Sequence, residues 1–150
     1  MPWPTCYCPK PPCSCGGSIH SYIESYKKIL NEVKPKRVWE WGPGPNTSMA
    51  LAIGAQVVSV EHQKRYAIPT IGNLISLVVG LDSKEYTSVM PVDLYFVDGR
   101  RRADCLTAIA RISGAVVCLH DAQRVRYHDA LRLFPDVIFM TKGFAVARNH

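Results

Sequence analysis

The chain has 150 residues, a formal charge of +6, 47% apolar and 20% charged side chains, values that suit one soluble globular domain with a real core. No apolar run approaches the roughly 20 residues that span a bilayer, and the opening MPWPTCYCPKPPCSC lacks the basic-then-apolar order of a secretory signal; the expectation is a cytoplasmic protein with no membrane partner. The basic excess favours anionic partners such as phosphates, acidic sugars or nucleic acid, although much of it is scattered in pairs and only Arg100–Arg102 forms a dense run.

Residues 1–17 stand apart in composition, with five prolines and Cys6, Cys8, Cys13 and Cys15. Repeated proline excludes a helix there. From Ser18, apolar residues at three- and four-residue spacing (Ile19, Tyr22, Ile23, Tyr26, Ile29, Leu30, Val33) predict a helix that Pro35 ends. A strand is expected over Arg37–Trp41, then a glycine turn, a helix opening near Asn46–Ser48, and a strand over Gln56–Val60. Gln63–Val79 reads as helical despite Pro69 and Gly72, and Tyr86–Val89 as a weak strand. A strand over Val92–Val97, a helix over Ala103–Ile112, a strand over Ala115–Leu119 and a helix over Ala122–Phe134 follow. Val137–Thr141 and Phe144–Ala147 complete the chain as an antiparallel hairpin around Lys142-Gly143. Strands alternating with helices imply an α/β, Rossmann-like, mostly parallel sheet with helices on both faces and a C-terminal antiparallel hairpin.

In such sheets ligands bind beyond the carboxyl ends of the strands. The polar residues of most interest fall at those ends: Glu40, Glu61-His62, Asp98-Gly99 and His120-Asp121. Gly42 and Gly44 let the backbone approach a ligand, and Asn46, Thr47 and Ser48 are suited to capping the helix that follows. Glu61 lies 21 residues beyond Glu40, where a carboxylate can accept from two ribose hydroxyls. A pyrophosphate cradle is disfavoured, because Pro43 and Pro45 each remove an amide donor and the third glycine of G-x-G-x-x-G is missing. A ligand with an amino-acid end and an adenosine end asks less of those amides.

Four blocks, VWEWGPGPNTS (38–48), VVSVEH (57–62), VDLYFVDGRRRADCL (92–106) and AVVCLHDAQRVRY (115–127), resemble the class I S-adenosylmethionine-dependent methyltransferases, and the last two resemble the small O-methyltransferase branch. The likeness covers about residues 20–148, which makes 18–150 a methyltransferase-like domain behind the 1–17 segment. It implies S-adenosylmethionine as cofactor, with Glu40, Gly42 and Gly44 at its methionine end. Asn46, Thr47 and Ser48 would stand near its carboxylate, Glu61 at the ribose, His62 beside the adenine and Asp98 close to the sulfonium. In metal-dependent relatives, carboxylates at the Asp98 and Asp121 positions bind a divalent ion such as magnesium, which acidifies the acceptor hydroxyl; otherwise His120 or a neighbouring carboxylate is the base. Pro45 stands where glycine is frequent, and the family's substrate-covering insertions are absent. The acceptor site is therefore open, or is completed by another subunit in a homo-oligomer.

Simpler readings compete. Glu40 could pair with a basic neighbour, Asp98 could merely form a turn before Gly99, and Arg100–Arg102, which could dock an anionic acceptor, could merely begin a solvated helix. The C-x-C-x4-C-x-C cluster of Cys6, Cys8, Cys13 and Cys15 admits a structural zinc site, two disulfides or an unstructured tail. Cys105 and Cys118 read as buried small hydrophobes, Trp39 as core and Trp41 as a border of the ligand. The chain thus reads as a methyltransferase acting on oxygen of a small molecule or sugar, with Asp98, His120 and Asp121 as catalytic residues. A nucleic-acid methyltransferase is the rival, although the D/N-P-P-Y/F block is absent. A non-catalytic cofactor-binding module is the other.

Overall fold

The computed structural model describes residues 3–7 and 22–150. Four helices, α1 (Ile23–Val33), α2 (Pro45–Ala52), α3 (Arg102–Ile109) and α4 (His128–Leu131), alternate with seven strands. These are β1 (Arg37–Trp41), β2 (Gln56–Glu61), β3 (Leu74–Val78), β4 (Leu94–Val97), β5 (Val116–His120), β6 (Asp136–Thr141) and β7 (Phe144–Arg148). They form one sheet in the order β3-β2-β1-β4-β5-β7-β6. Strands β1 to β5 pair in parallel, and β7 runs antiparallel to both β5 and β6. The strand order reverses between β1 and β4, and this is where an open α/β sheet makes room for a ligand.

Period-two alternation builds a core on each face. On one face Val38, Val57, Leu94, Phe96 and Cys118 meet Tyr22, Tyr26, Ile29 and Leu30 of α1 and its approach. On the other, Trp39, Trp41, Tyr95, Val97, Val117 and Leu119 pack against Leu106 and Ile109 of α3 and Leu131 of α4. Each large apolar side chain removed from water in this way contributes about 2 kcal/mol. Cys105 and Cys118 are fully buried as expected, and burial pushes the Cys105 thiol up to about 12. Lys34 ends α1 in a left-handed conformation, with its N–H on Leu30 O at 2.9 Å, just before Pro35.

Four local expectations are corrected. Gln63–Val79 is not a helix: a 3₁₀ turn at Lys64–Tyr66 leads to β3, which pairs with β2 from Val57↔Leu74 to Glu61↔Val78. Pro69 breaks helical hydrogen bonding, and β2 would otherwise leave its outer edge unpaired. Tyr86–Val89 is not a strand: Lys84–Thr87 is a 3₁₀ turn that sinks Tyr86 into the core. The Ala122–Phe134 helix shrinks to a 3₁₀ turn at Val125–Tyr127 followed by the single turn α4. Its first half is drawn aside because Arg124 bridges to Cys6, with Val125 N donating to Cys6 O at 3.2 Å. Trp41 does not border a ligand: it is fully buried, and its indole N–H donates to Tyr86 O at 2.7 Å. The start of the first helix, 18–21, lies outside the described residues.

The turn after β1 depends on close approach. Gly42 has φ +87°, and a Cβ there would lie 2.6 Å from Asp98 O. Gly54 has φ +85° with nothing within 4 Å. Urea unfolding should therefore show Gly42→Ala costing at least about 3 kcal/mol, against about 1 kcal/mol for Gly54→Ala. Equal costs at the two sites would mean that contact with Asp98 does not shape the turn.

Candidate functional site

Glu40 lies near the carboxyl end of β1, between Ser59 of β2 and Phe96 of β4, and is completely buried. Its carboxylate accepts from Asn46 Nδ2 at 3.0 Å and from the Thr47 hydroxyl. Asn46 Nδ2 also donates to Gly42 O at 3.2 Å, and Tyr22 donates its hydroxyl to Asn46 Oδ1 at 3.0 Å. Glu40, Asn46 and Thr47 thus tie the glycine turn down from beneath. Helix α2 begins at Pro45 with Gly44 as N-cap, so Asn46–Ser48 occupy the first turn rather than the cap itself. Gly44 N donates to Thr47 Oγ1 at 3.1 Å, and Ser48 is exposed. Burial pushes the Glu40 carboxyl up to about 7, the hydrogen bonds from Thr47 and Asn46 pull it down, and the Asp98 charge pushes it up further.

At the end of β2, Glu61 is held by one oxygen. Its Oε1 accepts from His62 N at 2.9 Å and Gln63 N at 3.0 Å, with His62 Nδ1 3.1 Å away. No hydrogen bond to Oε2 occurs among the described residues, so a pinned carboxylate presents one open oxygen. This suits a diol.

The ends of β4 and β5 meet over one cation. Asp98 Oδ1 lies 2.9 Å from His120 Nδ1 and 3.3 Å from Arg102 Nη2. Arg102 Nη1 lies 3.2 Å from Asp121 Oδ2 and donates to His120 O at 2.7 Å, while Arg102 Nε donates to Gly99 O at 2.9 Å. Asp121 adopts φ +57°, a left-handed conformation uncommon outside glycine and better tolerated by Asp. His120 is 4% exposed, and its Nε2 has no hydrogen bond among the described residues. Sequence reading left Arg102 between docking an anionic acceptor and beginning a solvated helix; its bridge between the two carboxylates is visible only once β4 and β5 are adjacent. Tyr22, Tyr86 and Arg124 were likewise not singled out. Tyr86 supports the turn after β4 by accepting Arg100 N at 2.9 Å on its hydroxyl, and Gly99 has no room for a Cβ, which would lie 2.7 Å from that oxygen.

A cavity of about 760 Å³ opens on this edge and is lined by Glu61, His62, Asp98, Gly99, Asp121 and several arginines, a size suited to a small-molecule ligand. Four of the residues expected from the sequence therefore share one cavity. Glu40, Asn46 and Thr47 lie beneath it, and His120 sits behind Asp98.

Asp98, His120 and Asp121 offer ligand atoms within 4.8 Å of one another. A magnesium-type ion takes about six oxygen ligands, but Arg102 already bridges the two carboxylates. The donor set does not fit such an ion; the guanidinium supplies the positive charge there. Of the four cysteines read as a zinc site, only Cys6 is described, buried beside Arg124; Cys8, Cys13 and Cys15 lie outside the described residues.

Solved structures share this fold. A methyltransferase-like protein from Silicibacter pomeroyi superposes with a TM-score of 0.67 at 18% identity, over 90% of this chain and 88% of that one. The methyltransferase PaMTH1 of Podospora anserina, bound to S-adenosylhomocysteine, gives 0.66 at 14%, over 89% and 80%. The O-methyltransferase TomG of Streptomyces achromogenes, involved in tomaymycin synthesis and bound to S-adenosylmethionine, gives 0.58 at 15%, over 89% and 82%. The fold is that of the class I methyltransferases. No protein-family model matches the chain, and no curated protein sequence does. Among the described residues no helix is long and apolar enough to cross a membrane.

The buried Glu40 gives the fold a pH signature. Its folded pKa stands above the ordinary 4.5, at about 7, so the folded state binds the proton more tightly. Stability is then greatest below the ordinary value and falls as pH rises towards the folded one. Urea unfolding between about pH 5 and pH 8 should show the wild type losing up to about 3 kcal/mol relative to Glu40→Gln. Parallel profiles would mean that Glu40 is solvated or already charged in the fold.

Proposed function

We propose that the protein is an S-adenosylmethionine-dependent methyltransferase acting on a hydroxyl oxygen of a small molecule. One observation carries the reading: the pinned Glu61 carboxylate and the Asp98–Arg102–Asp121 cluster open into the same cavity, beyond the ends of β2, β4 and β5. Glu61 Oε2 would accept from the ribose diol, with His62 beside the adenine and Gly99 leaving the backbone bare. Glu40, Asn46 and Thr47 would act from below, by fixing the turn between Gly42 and Gly44 at the methionine end. When bound, the cofactor supplies an electrophilic methyl group on a sulfonium: its S–C bond breaks as the acceptor's O–C bond forms.

The chain's own contribution is mainly positioning. Asp98 has Oδ1 committed to His120 and Arg102, which aims Oδ2 as acceptor of the hydroxyl proton. His120 is a positioning residue: Nδ1–H donated to Asp98 fixes the carboxylate's rotation. Asp121 holds Arg102 from the other side. These roles need no metal ion between the two carboxylates, and Arg102 limits the charge repulsion between them.

Calorimetry tests the reading. S-adenosylmethionine and S-adenosylhomocysteine should bind while NAD does not, because Pro43 and Pro45 leave too few amides for a pyrophosphate. Glu61→Gln should weaken both ligands about tenfold, the loss of one charge-assisted hydrogen bond. Binding of NAD alone, or indifference to Glu61→Gln, would overturn the assignment.

A further inference from the structure

The cavity holds more positive charge than its carboxylates use. Arg101 is spent within its own surroundings, on Asp104 at 3.0 Å and on Leu81 O and Ser83 O at 2.8 and 3.2 Å. Arg102 is spent on Asp98 and Asp121. Three lining guanidinium groups remain. Arg100 and Arg126 are exposed and have no carboxylate partner among the described residues; Arg126 lies over the Tyr127 ring at 5.1 Å.

Arg124 is the decisive one. It is 3% exposed, yet its nearest carboxylate oxygen is Asp121 Oδ2 at 3.8 Å, the same atom that Arg102 holds at 3.2 Å. Its Nε and Nη1 make no hydrogen bond among the described residues. A buried guanidinium that shares a distant carboxylate is under-compensated, because removing it from water costs several kcal/mol unless a close anion returns that energy. A planar fork of donors fits an oxyanion in two-pronged fashion. Glu61 stands elsewhere on the lining and is occupied by His62 and Gln63, so among the described residues these arginines have no second anion.

We infer that the acceptor carries an oxyanion, a carboxylate or a phosphate, gripped by Arg124, Arg126 and Arg100 while its hydroxyl lies at Asp98. The inference rests on the methyltransferase reading for the position of the hydroxyl, but the anion site itself stands on the arginines alone. Electrostatic attraction into a concave site also concentrates such a substrate from solution.

The test is calorimetry on the full chain saturated with S-adenosylhomocysteine, titrated with inorganic phosphate, benzoate and the neutral isostere benzamide. At least one anion should bind at least ten times more tightly than benzamide and weaken with added salt. Phosphate against benzoate identifies which oxyanion the fork prefers. The exposed pair Arg100→Gln/Arg126→Gln should lose at least tenfold in anion affinity with the S-adenosylhomocysteine Kd unchanged, and Arg124→Lys should lose affinity although it keeps the charge, since the fork is gone. Equal binding of anions and benzamide would overturn the proposal, as would anion affinity unaffected by the arginine substitutions. Displacement of S-adenosylhomocysteine by phosphate would also overturn it, by assigning the arginines to the cofactor. Tight, salt-sensitive binding of a single-stranded RNA oligomer, lost in the same variants while phosphate and benzoate fail, would replace the small acceptor with a polynucleotide. Failure of S-adenosylhomocysteine to bind at all refutes the methyltransferase reading separately, and the anion titrations on the unliganded chain then still report on the arginine site.

Discussion

Arg102 is the constraint on which the site depends. Its guanidinium reaches two carboxylates and two backbone carbonyls contributed by the ends of β4 and β5. Without it, Asp98 and Asp121 would face each other as uncompensated like charges at a half-buried edge. With it, the two strand ends are held at a fixed separation, and Asp98 is free to turn towards His120. The same residue supplies the positive charge between the two carboxylates. A planar cation on a side chain, unlike a bound ion, cannot be lost or exchanged.

A second network lies beneath the first. Glu40 is buried at the centre of the sheet, and its proton balance is set by the loss of water against hydrogen bonds from Thr47 and Asn46. Asn46 passes the connection to Tyr22, whose ring meets His120 edge-on at 4.8 Å between centroids. The glycine turn and the β4–β5 cluster are therefore mechanically linked through α1. Burial raises the Tyr22 hydroxyl to about 12, which keeps it a donor to Asn46 at any physiological pH. This floor is polar but closed, whereas the cavity is open and has charged side chains on its wall.

The excess arginine on the cavity wall gives the overall charge of +6 a local meaning. Charge scattered over a surface does little at physiological salt, where screening acts within about 8 Å. Charge held in a concavity, and in Arg124 buried, is screened far less. The arginines that line the cavity therefore act on a ligand there more strongly than the basic pairs scattered over the rest of the surface.

Much of this was legible before any coordinates. Period-two apolar alternation and the turn residues were enough for six of the seven strands, and acidic residues at strand ends marked the edge where the cavity opens, because side-chain alternation and backbone punctuation are local properties. The exceptions have tertiary causes. Leu74–Val78 is a strand because β2 offers an unpaired edge, although only Leu74 of it is buried. The helix expected after β5 is cut short because Arg124 bridges to Cys6, more than a hundred residues earlier in the chain. Trp41 sits in the core rather than at the ligand because Tyr86 comes in from a distant turn to receive its N–H. Which carboxylates share a cation, which guanidinium is left with only a distant carboxylate, and which of the strand-end residues face the cavity or lie under it are long-range facts of this kind. They depend on which strands become neighbours, and hydrophobic periodicity carries no information about partners that lie far apart in sequence.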